Sequence, residues 1–273
     1  MKNSLLSEAE TIETVITQMM DRVMEKVLIG DPFKPDEFES IKPIYAALVP
    51  MEVFKGAHFE RRFVTPFGKV WERLAEVIAK QRYGFVKLNH KIDGYIPAER
   101  LVLIQETLDS LEFAHGRKPN QGPCWDLELE GILEGGGDLR PVSVNCDLYV
   151  SDASDCPGSA YELKAPLPNS DQTKVSKEKM LKLHAMEPKK VDSAYYALPY
   201  NPYGENKADY TWAFPQRWFD MQNDACVLIG PEFWELIGDE NSYREIIETA
   251  KRLGEEYKKR ILEEYLGINF LEH

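Results

Sequence analysis

The 273-residue sequence predicts an α/β protein in which a mixed β-sheet core is flanked by helices. Two observations carry this. Apolar residues recur at helical spacing toward both ends of the chain, whereas the middle breaks into short apolar runs separated by Gly, Pro and Asn turns. Helices first, strands in the centre and helices last fit a sheet covered by helices.

The elements follow in order. Residues 7–28 place Ile12, Ile16, Met19, Val23 and Val27 on one helical face. "GDPFKPDEF" is a Pro-rich link into a short helix over about 36–48. "TPFGKVWERLAEVIAKQR" reads as a long helix with its stripe at Phe67, Val70, Trp71, Leu74, Val77 and Ile78. "KLNHKIDG" reads as a basic polar loop. "IPAERLVLIQETLDSLEF" returns to helical spacing at Leu101, Ile104, Leu108 and Leu111.

"WDLELEGIL" alternates and predicts a strand, Gly135 to Asp138 a turn, and "RPVSVNCDLYV" a strand. "SDASDCPGS" is a loop and "AYELKAP" another strand. "NSDQTKVSKEKMLKLHAM" is a lysine-rich helix capped by Asn169 or Ser170. "VDSAYYALPY" and "ADYTWAF" read as two strands and "ACVLIG" as a buried one. The last helix runs from 242 to about 268, with Ile246, Ala250, Leu253, Tyr257 and Ile261 as its stripe. No boundary divides the chain, so a single domain over 1–270 is expected, with a helical N-terminal region to about 60. "LEH" at 271–273 reads as a tag remnant.

Composition narrows the class. Hydrophobic residues are 43% and charged ones 29%, as in soluble globular proteins. No apolar run reaches the ~18 residues of a membrane span. The N-terminus lacks the basic start and apolar block of a signal peptide, so a cytoplasmic protein is expected. Cys124, Cys146, Cys156 and Cys226 have no CxxC spacing, which argues against a zinc ribbon or redox pair and for reduced structural thiols.

The net charge of −13 opposes a polyanionic partner on average, but the average hides a gradient. From 164 to 190 seven lysines stand against three acids, a balance of +4. From 232 to 273 six Lys/Arg stand against eleven acids, a balance of −5. A localised basic segment can still meet DNA.

The chemistry concentrates in "YELKAP", Tyr161 to Pro166. Residues i and i+2 of a strand share a face, so Glu162 and Lys164 point one way while Leu163 and Ala165 are expected to enter the core. Asp147 lies in the preceding strand, and the Cys156-Pro157-Gly158 turn lets that strand return beside it. Two carboxylates held close repel unless a cation lies between them. Mg2+ suits oxygen ligands of this kind, with Mn2+ able to substitute, and the Leu163 carbonyl can add a further oxygen. A lysine beside the metal can orient a water or stabilise charge on a phosphoryl oxygen, which completes the parts for metal-assisted phosphodiester hydrolysis. The plainer reading is a solvated Glu–Lys edge pair with Asp147 an unrelated turn residue.

This arrangement resembles the PD-(D/E)xK nuclease core, with Asp147, Glu162 and Lys164 at its three positions and Cys146 in place of the motif's proline. The string "ELKAPLPNSDQTKVSKEKMLKLHAM", with "YYALPYNPYG" and "WFDM", resembles the TdeIII-type family of type II restriction endonucleases over about 63–228. The resemblance implies a restriction-endonuclease-like fold, Mg2+, double-stranded DNA cut at a short palindromic site (GGNCC is the family's), a homodimer, and a cognate methyltransferase in the host. It also implies that Glu72, in "TPFGKVWE", is the helix glutamate brought to the metal in such enzymes; otherwise Glu72 is a solvated helix acid.

Residues after the catalytic strand are candidates for DNA contact. Asn169, Gln172, Lys174, Lys177 and Lys179 follow that strand directly, on a helix that starts near the scissile phosphate, where lysine meets phosphate or guanine and amides read adenine edges. Lys174 and Lys177 share a face, and Lys179 and Lys182 lie elsewhere. His90 and Arg217 are further contacts, from "KLNHKIDG" and "PQRWFDM". The plainer reading of each is a solvated charge. His184, inside an apolar stretch, reads as a satisfied and partly buried histidine, and the tyrosines from Tyr195 to Tyr210 read mainly as core. Competing functions are a repair or junction-resolving nuclease, and a non-catalytic DNA-binding or interaction protein whose acids serve structure. A carboxylate-pair glycosidase is remote, because the lysine and basic helix have no task there.

Overall fold

One five-stranded mixed sheet organises the second of two compact units in a computed structural model that describes residues 10–113 and 122–268. That unit is Ile78–Tyr243; the first is Met1–Val77 together with Arg244–His273. Residues 271–273, expected to be a tag remnant, lie outside the described residues.

In the first unit, α1 (Ile12–Glu25) buries Ile12, Val15, Ile16, Met19, Met20, Val23 and Met24 along the expected stripe. Thr11 caps it by accepting from the Thr14 N–H at 3.2 Å. Where one helix was expected over 36–48 there are two, α2 (Pro35–Ile41) and α3 (Pro43–Leu48). Pro43 cannot donate and disfavours helical geometry at Lys42, whose φ of −131° leaves the helix. Helix α4 (Met51–Val64) has no counterpart in the sequence reading, and α5 (Phe67–Ala79) follows it. The long C-terminal helix, α10 (Ser242–Arg260), closes the unit: Tyr257 donates to Asp21 Oδ1 at 2.7 Å.

In the second unit the strands are β1 (Phe85–Pro97), β2 (Leu139–Ser151), β3 (Gly158–Leu163), β4 (Val191–Leu198) and β5 (Val227–Ile229), in that spatial order. The first three are antiparallel and the last three parallel. Parallel β3 and β4 need a crossover, which is α8 (Ser170–Ala185). Helices α6 (Ala98–Glu112), α7 (Trp125–Leu133) and α9 (Pro231–Ile237) complete the unit. The core joins Ile96, Ile104, Leu108 and Trp125 to Met180, Tyr196 and Phe219.

Three sequence expectations fail here. "KLNHKIDG" is not a loop but the centre of β1; Leu88, His90 and Ile92 alternate with exposed Lys87, Asn89 and Lys91, a period of two masked by its polar residues. "WDLELEGIL" is helix α7 rather than a strand, because the buried residues Trp125 and Ile132 stand two helical turns apart while Leu127 is exposed. "ADYTWAF" forms no strand. The Tyr210 hydroxyl donates to the Pro166 carbonyl and Trp212 Nε1 to the Pro168 carbonyl, each at 2.9 Å, so these aromatics pin the segment after β3.

Position 158 admits only glycine at the entry to β3: a Cβ there would meet the Val150 carbonyl oxygen at 2.1 Å. All four cysteines are unpaired thiols. Among the described residues no helix is long and apolar enough to cross a membrane.

Candidate active site

Sheet register brings the two acids together. The β2–β3 ladder pairs Leu148 with Tyr161, and one step further Asp147 lies across from Glu162. On the other flank the β1–β2 ladder passes from Leu88↔Leu148 to His90↔Cys146 and skips Asn89, which lies across from Asp147. Asn89 holds a φ of 49°, in the left-handed region that Asn enters more readily than most residues. The Leu163 N–H then donates to Asp147 Oδ2 at 2.8 Å, so strand backbone orients the first carboxylate.

Glu162 and Lys164 share a face, as the strand period requires. The inward positions differ from expectation, though: Glu162 is buried, Leu163 is half-buried and Ala165 is exposed. β3 is an interior strand with both faces covered, and α8 lies over the Glu162 face. A carboxylate tolerates such burial only when partnered. Here Lys179 Nζ donates to Oε1 at 2.9 Å and Oε2 at 3.0 Å, while Ser176 Oγ and Lys164 Nζ each reach Oε2 at 3.3 Å.

The Lys164 ammonium sits among three oxygens: Asp147 Oδ2 at 2.7 Å, the Leu163 carbonyl at 2.9 Å and Glu162 Oε2 at 3.3 Å. Burial pushes the Glu162 carboxyl above its usual range, and Lys164 and Lys179 oppose that shift. Burial works against the Lys164 charge, but Glu162 and Asp147 together outweigh it and raise its pKa, so the ammonium holds its proton. Two carboxylates face two ammoniums, and the cluster is neutral when all four are charged.

Among the described residues no group of three or more His, Cys, Asp or Glu could hold a metal ion. Any cation here relies on two carboxylates and one backbone carbonyl. All three are hard oxygen donors, and they already converge on one positive point, which fits Mg2+ with water completing its shell.

The remaining candidates are placed variously. Glu72 lies half-buried on α5, in the first unit. Asn169 is the N-cap of α8: its side-chain oxygen accepts from the Gln172 N–H at 2.8 Å, and Gln172 Oε1 accepts from the Asn169 N–H at 3.4 Å. Lys174 pairs with Glu112. Arg217 is exposed on a short 3-10 turn, Pro215–Arg217. His90 packs its ring on Tyr149 at 4.8 Å from within β1, and burial, aided by Lys87, lowers its pKa.

Lys177 corrects the sequence reading. It is fully buried, with its ammonium between the Glu128 carboxylate and the Trp218 carbonyl, so no surface of it remains for DNA. Glu128 Oε2 meets it as an ion pair without an aligned hydrogen bond. Removing one partner of such a pair leaves a buried charge uncompensated. Lys177→Met is therefore expected to lower unfolding free energy by about 3 kcal/mol, read by urea denaturation, with the Lys177→Met, Glu128→Leu double variant recovering most of it. An unchanged midpoint in the single variant would remove the pair as a structural tie.

His184 sits as anticipated: Nε2 accepts from the Ala194 N–H at 3.2 Å, the ring meets Trp125 edge-on, and burial pushes its pKa down to about 4. Tyr196 and Tyr210 are core, whereas Tyr200 and Tyr203 are 40% and 43% exposed.

Sequence reasoning missed Ser176, and it weighed Lys179 for DNA contact rather than for Glu162. The signal was helical phase. Thr173, Ser176 and Met180 are buried on one face of α8, and Lys179 lies beside them, so it reaches the sheet rather than solvent.

A mixed five-stranded sheet flanked by helices, with an Asp and a Glu-x-Lys meeting where the β2–β3 ladder ends, defines a restriction-endonuclease-like α/β protein. The family described as "Type II restriction endonuclease, HinfI" matches residues 8–254, and the chain belongs to that family, which makes it an enzyme of the site-specific deoxyribonuclease class. It is similar to three proteins of Herpetosiphon aurantiacus. The type II restriction enzyme HgiCII is 28% identical over 218 residues, 78% of each chain. The type II restriction enzymes HgiBI and HgiEI are each 28% identical over 220 residues, 78% of this chain and 77% of theirs.

Proposed function

We propose that the chain is a Mg2+-dependent type II restriction endonuclease of the PD-(D/E)xK kind, hydrolysing double-stranded DNA at a short palindromic site. One observation carries this reading: in a chain of this family, Asp147, Glu162 and the Leu163 carbonyl surround a single cationic point. Asp147 Oδ2, Glu162 Oε2 and the Leu163 carbonyl would hold the ion. A divalent ion held there lowers the pKa of a bound water and neutralises charge on the phosphoryl group.

The chain's own residues do the rest. Leu163 N–H and the β2–β3 register aim Asp147; Lys179 and Ser176 fix Glu162; Lys164 supplies a charge for a phosphoryl oxygen or an attacking water. Glu72 is proposed as a further acid from α5, and Asn169, Gln172, Lys174, His90 and Arg217 as DNA contacts. The resemblance to the TdeIII-type family supports GGNCC as the site and a host methyltransferase that protects it, and a cytoplasmic setting is proposed from the sequence reading of the N-terminus.

Digestion of a plasmid with Mg2+ and sequencing of the fragment ends tests this. Discrete fragments ending at one short palindrome are expected. Cutting only of branched DNA, or none, would remove the restriction reading.

A homodimer is proposed as well, since a palindrome presents each half-site twice. Residues 28–69 support it. None is buried, their six acids balance six Lys/Arg, and they expose Ile41, Ile44, Tyr45 and Leu48 at 60% or more. A near-neutral apolar surface suits a protein partner better than phosphate. Sedimentation velocity at micromolar protein should give twice the chain mass; a monomer would remove the dimer.

A further inference from the structure

We propose that the two lysines at Glu162 have different tasks: Lys164 is an exchangeable placeholder that yields the cation point to a divalent ion, and Lys179 is a fixed positioning residue that stays on Glu162. The proposal rests on the metal-dependent reading of this site.

The geometry separates the two. Lys164 Nζ shares all three oxygens that a metal would need, at 2.7, 2.9 and 3.3 Å, so it and the ion compete for one position. Among the described residues Lys179 Nζ bonds only to Glu162, but holds both of its oxygens, at 2.9 and 3.0 Å. It has no contact with Asp147 Oδ2 or the Leu163 carbonyl, and it comes from α8 rather than from β3.

Charge gives the same division. The resting cluster holds two negative and two positive groups. Adding a divalent ion without moving either lysine sets four positive charges against two negative, within a few ångströms of one another. Close like charges in a poorly screened site repel by several multiples of thermal energy. One ammonium must move away, and Lys164 is the one in the ion's place. It grows from the residue just after β3, where the chain leaves the sheet. Lys179 is held on a helix whose phase also delivers Ser176 to the same carboxylate. Lys179 and Ser176 therefore keep Glu162 aimed at the cation point while Lys164 turns toward substrate.

Two measurements test this, and neither reads cleavage. The first uses the parent protein without DNA. Lysines are acylated briefly with and without Ca2+, and modification at each position is quantified by mass spectrometry of peptides. Lys164 labelling is expected to rise severalfold on adding Ca2+, with Lys179 labelling unchanged. An unchanged or falling Lys164 signal, or an equal rise at both, overturns the proposal. The second is Mn2+ binding followed by the electron paramagnetic resonance signal of the free ion. Lys164→Met should bind Mn2+ at least about tenfold more tightly than the parent, because a competing charge at the same point is gone.

Lys179→Met, which removes an equal charge from the same carboxylate, should gain much less or lose affinity. Lys179→Arg, able to grip a carboxylate with two donors, should match the parent. Equal tightening in Lys164→Met and Lys179→Met would make the lysines equivalent counter-charges and sink the distinction. If the parent binds no divalent ion at Asp147 and Glu162, the metal-dependent reading falls together with this one. If it binds there and Lys164 is unaffected, only the exchange is wrong.

Discussion

Asp147→Asn and Glu162→Gln are each expected to reduce DNA cleavage by at least about 10³-fold while the protein stays folded. Metal-assisted charge stabilisation contributes several kcal/mol to such reactions, and each ~1.4 kcal/mol is a factor of ten in rate. Both substitutions preserve shape and remove one charge. In Asp147→Asn the amide oxygen can still accept the Leu163 N–H that the carboxylate accepts at 2.8 Å, so the β2–β3 junction keeps its tie. In Glu162→Gln one oxygen remains for the Lys179 ammonium, which holds the native carboxylate through two. The new NH2 group of that variant faces a second cation, a mismatch of about 1–3 kcal/mol. That loss is small beside the stability of a domain of this size, so the fold persists. The comparison is single-turnover cleavage in Mg2+ beside thermal unfolding of each variant. Either variant cutting within about tenfold of the parent would place the metal elsewhere and return Asp147 and Glu162 to the role of structural charges.

Much of this site could be read from sequence because strand geometry is a strict rule. A period of two puts Glu162 and Lys164 on one face whatever surrounds them, and a short Pro-Gly link between two strands makes antiparallel return the natural outcome. The Asp147–Glu162 encounter needed nothing more. What failed had a common cause: the winning interaction was non-local. Whether Glu162 is buried depends on α8 packing over β3, which "YELKAP" does not encode. Lys177 and Lys179 stand two residues apart in a lysine-rich helix and look alike in the sequence. One enters the core against Glu128 and Trp218, and the other turns to the Glu162 carboxylate.

The same holds for elements. "WDLELEGIL" alternates locally, yet Trp125 is drawn into a helix whose N-terminal N–H donates to the Asp224 carboxylate at 3.1 Å, ninety-nine residues away in sequence. "KLNHKIDG" was legible in principle, since its burial alternates, but Lys, Asn and Asp at the outward positions hid the apolar half of the pattern. The balance of +4 from 164 to 190 was also a poor guide to a DNA surface. Six of its seven lysines form ion pairs, with Asp147, Glu162, Glu112, Glu128, Glu178 and Asp192 as partners.

Lys164→Ala is expected to retain site-specific DNA binding and to lose turnover by on the order of 10²–10³. Its ammonium rests at the cation point itself, against Asp147, Glu162 and the Leu163 carbonyl, and on the exchange proposed above it would leave that point and remain beside it. Burial opposes that charge, but Glu162 and Asp147 hold the proton on, so the group would meet a phosphoryl oxygen or a water as a charge and donor. Affinity for DNA, by contrast, comes from many phosphate contacts spread over a surface, and one half-buried lysine contributes little to it. Lys164→Arg should not restore the rate. The planar guanidinium cannot sit as a compact point charge among Asp147 Oδ2, Glu162 Oε2 and the Leu163 carbonyl, all within 3.3 Å of the present nitrogen. The measurement pairs binding in Ca2+, as a divalent ion for docking, with cleavage in Mg2+, for the parent and both variants. Normal cleavage by Lys164→Ala, or equal losses of binding and cleavage, would show that Lys164 does not act on the reacting group. The Glu162–Lys164 pair would then be a structural ion pair at the end of a strand.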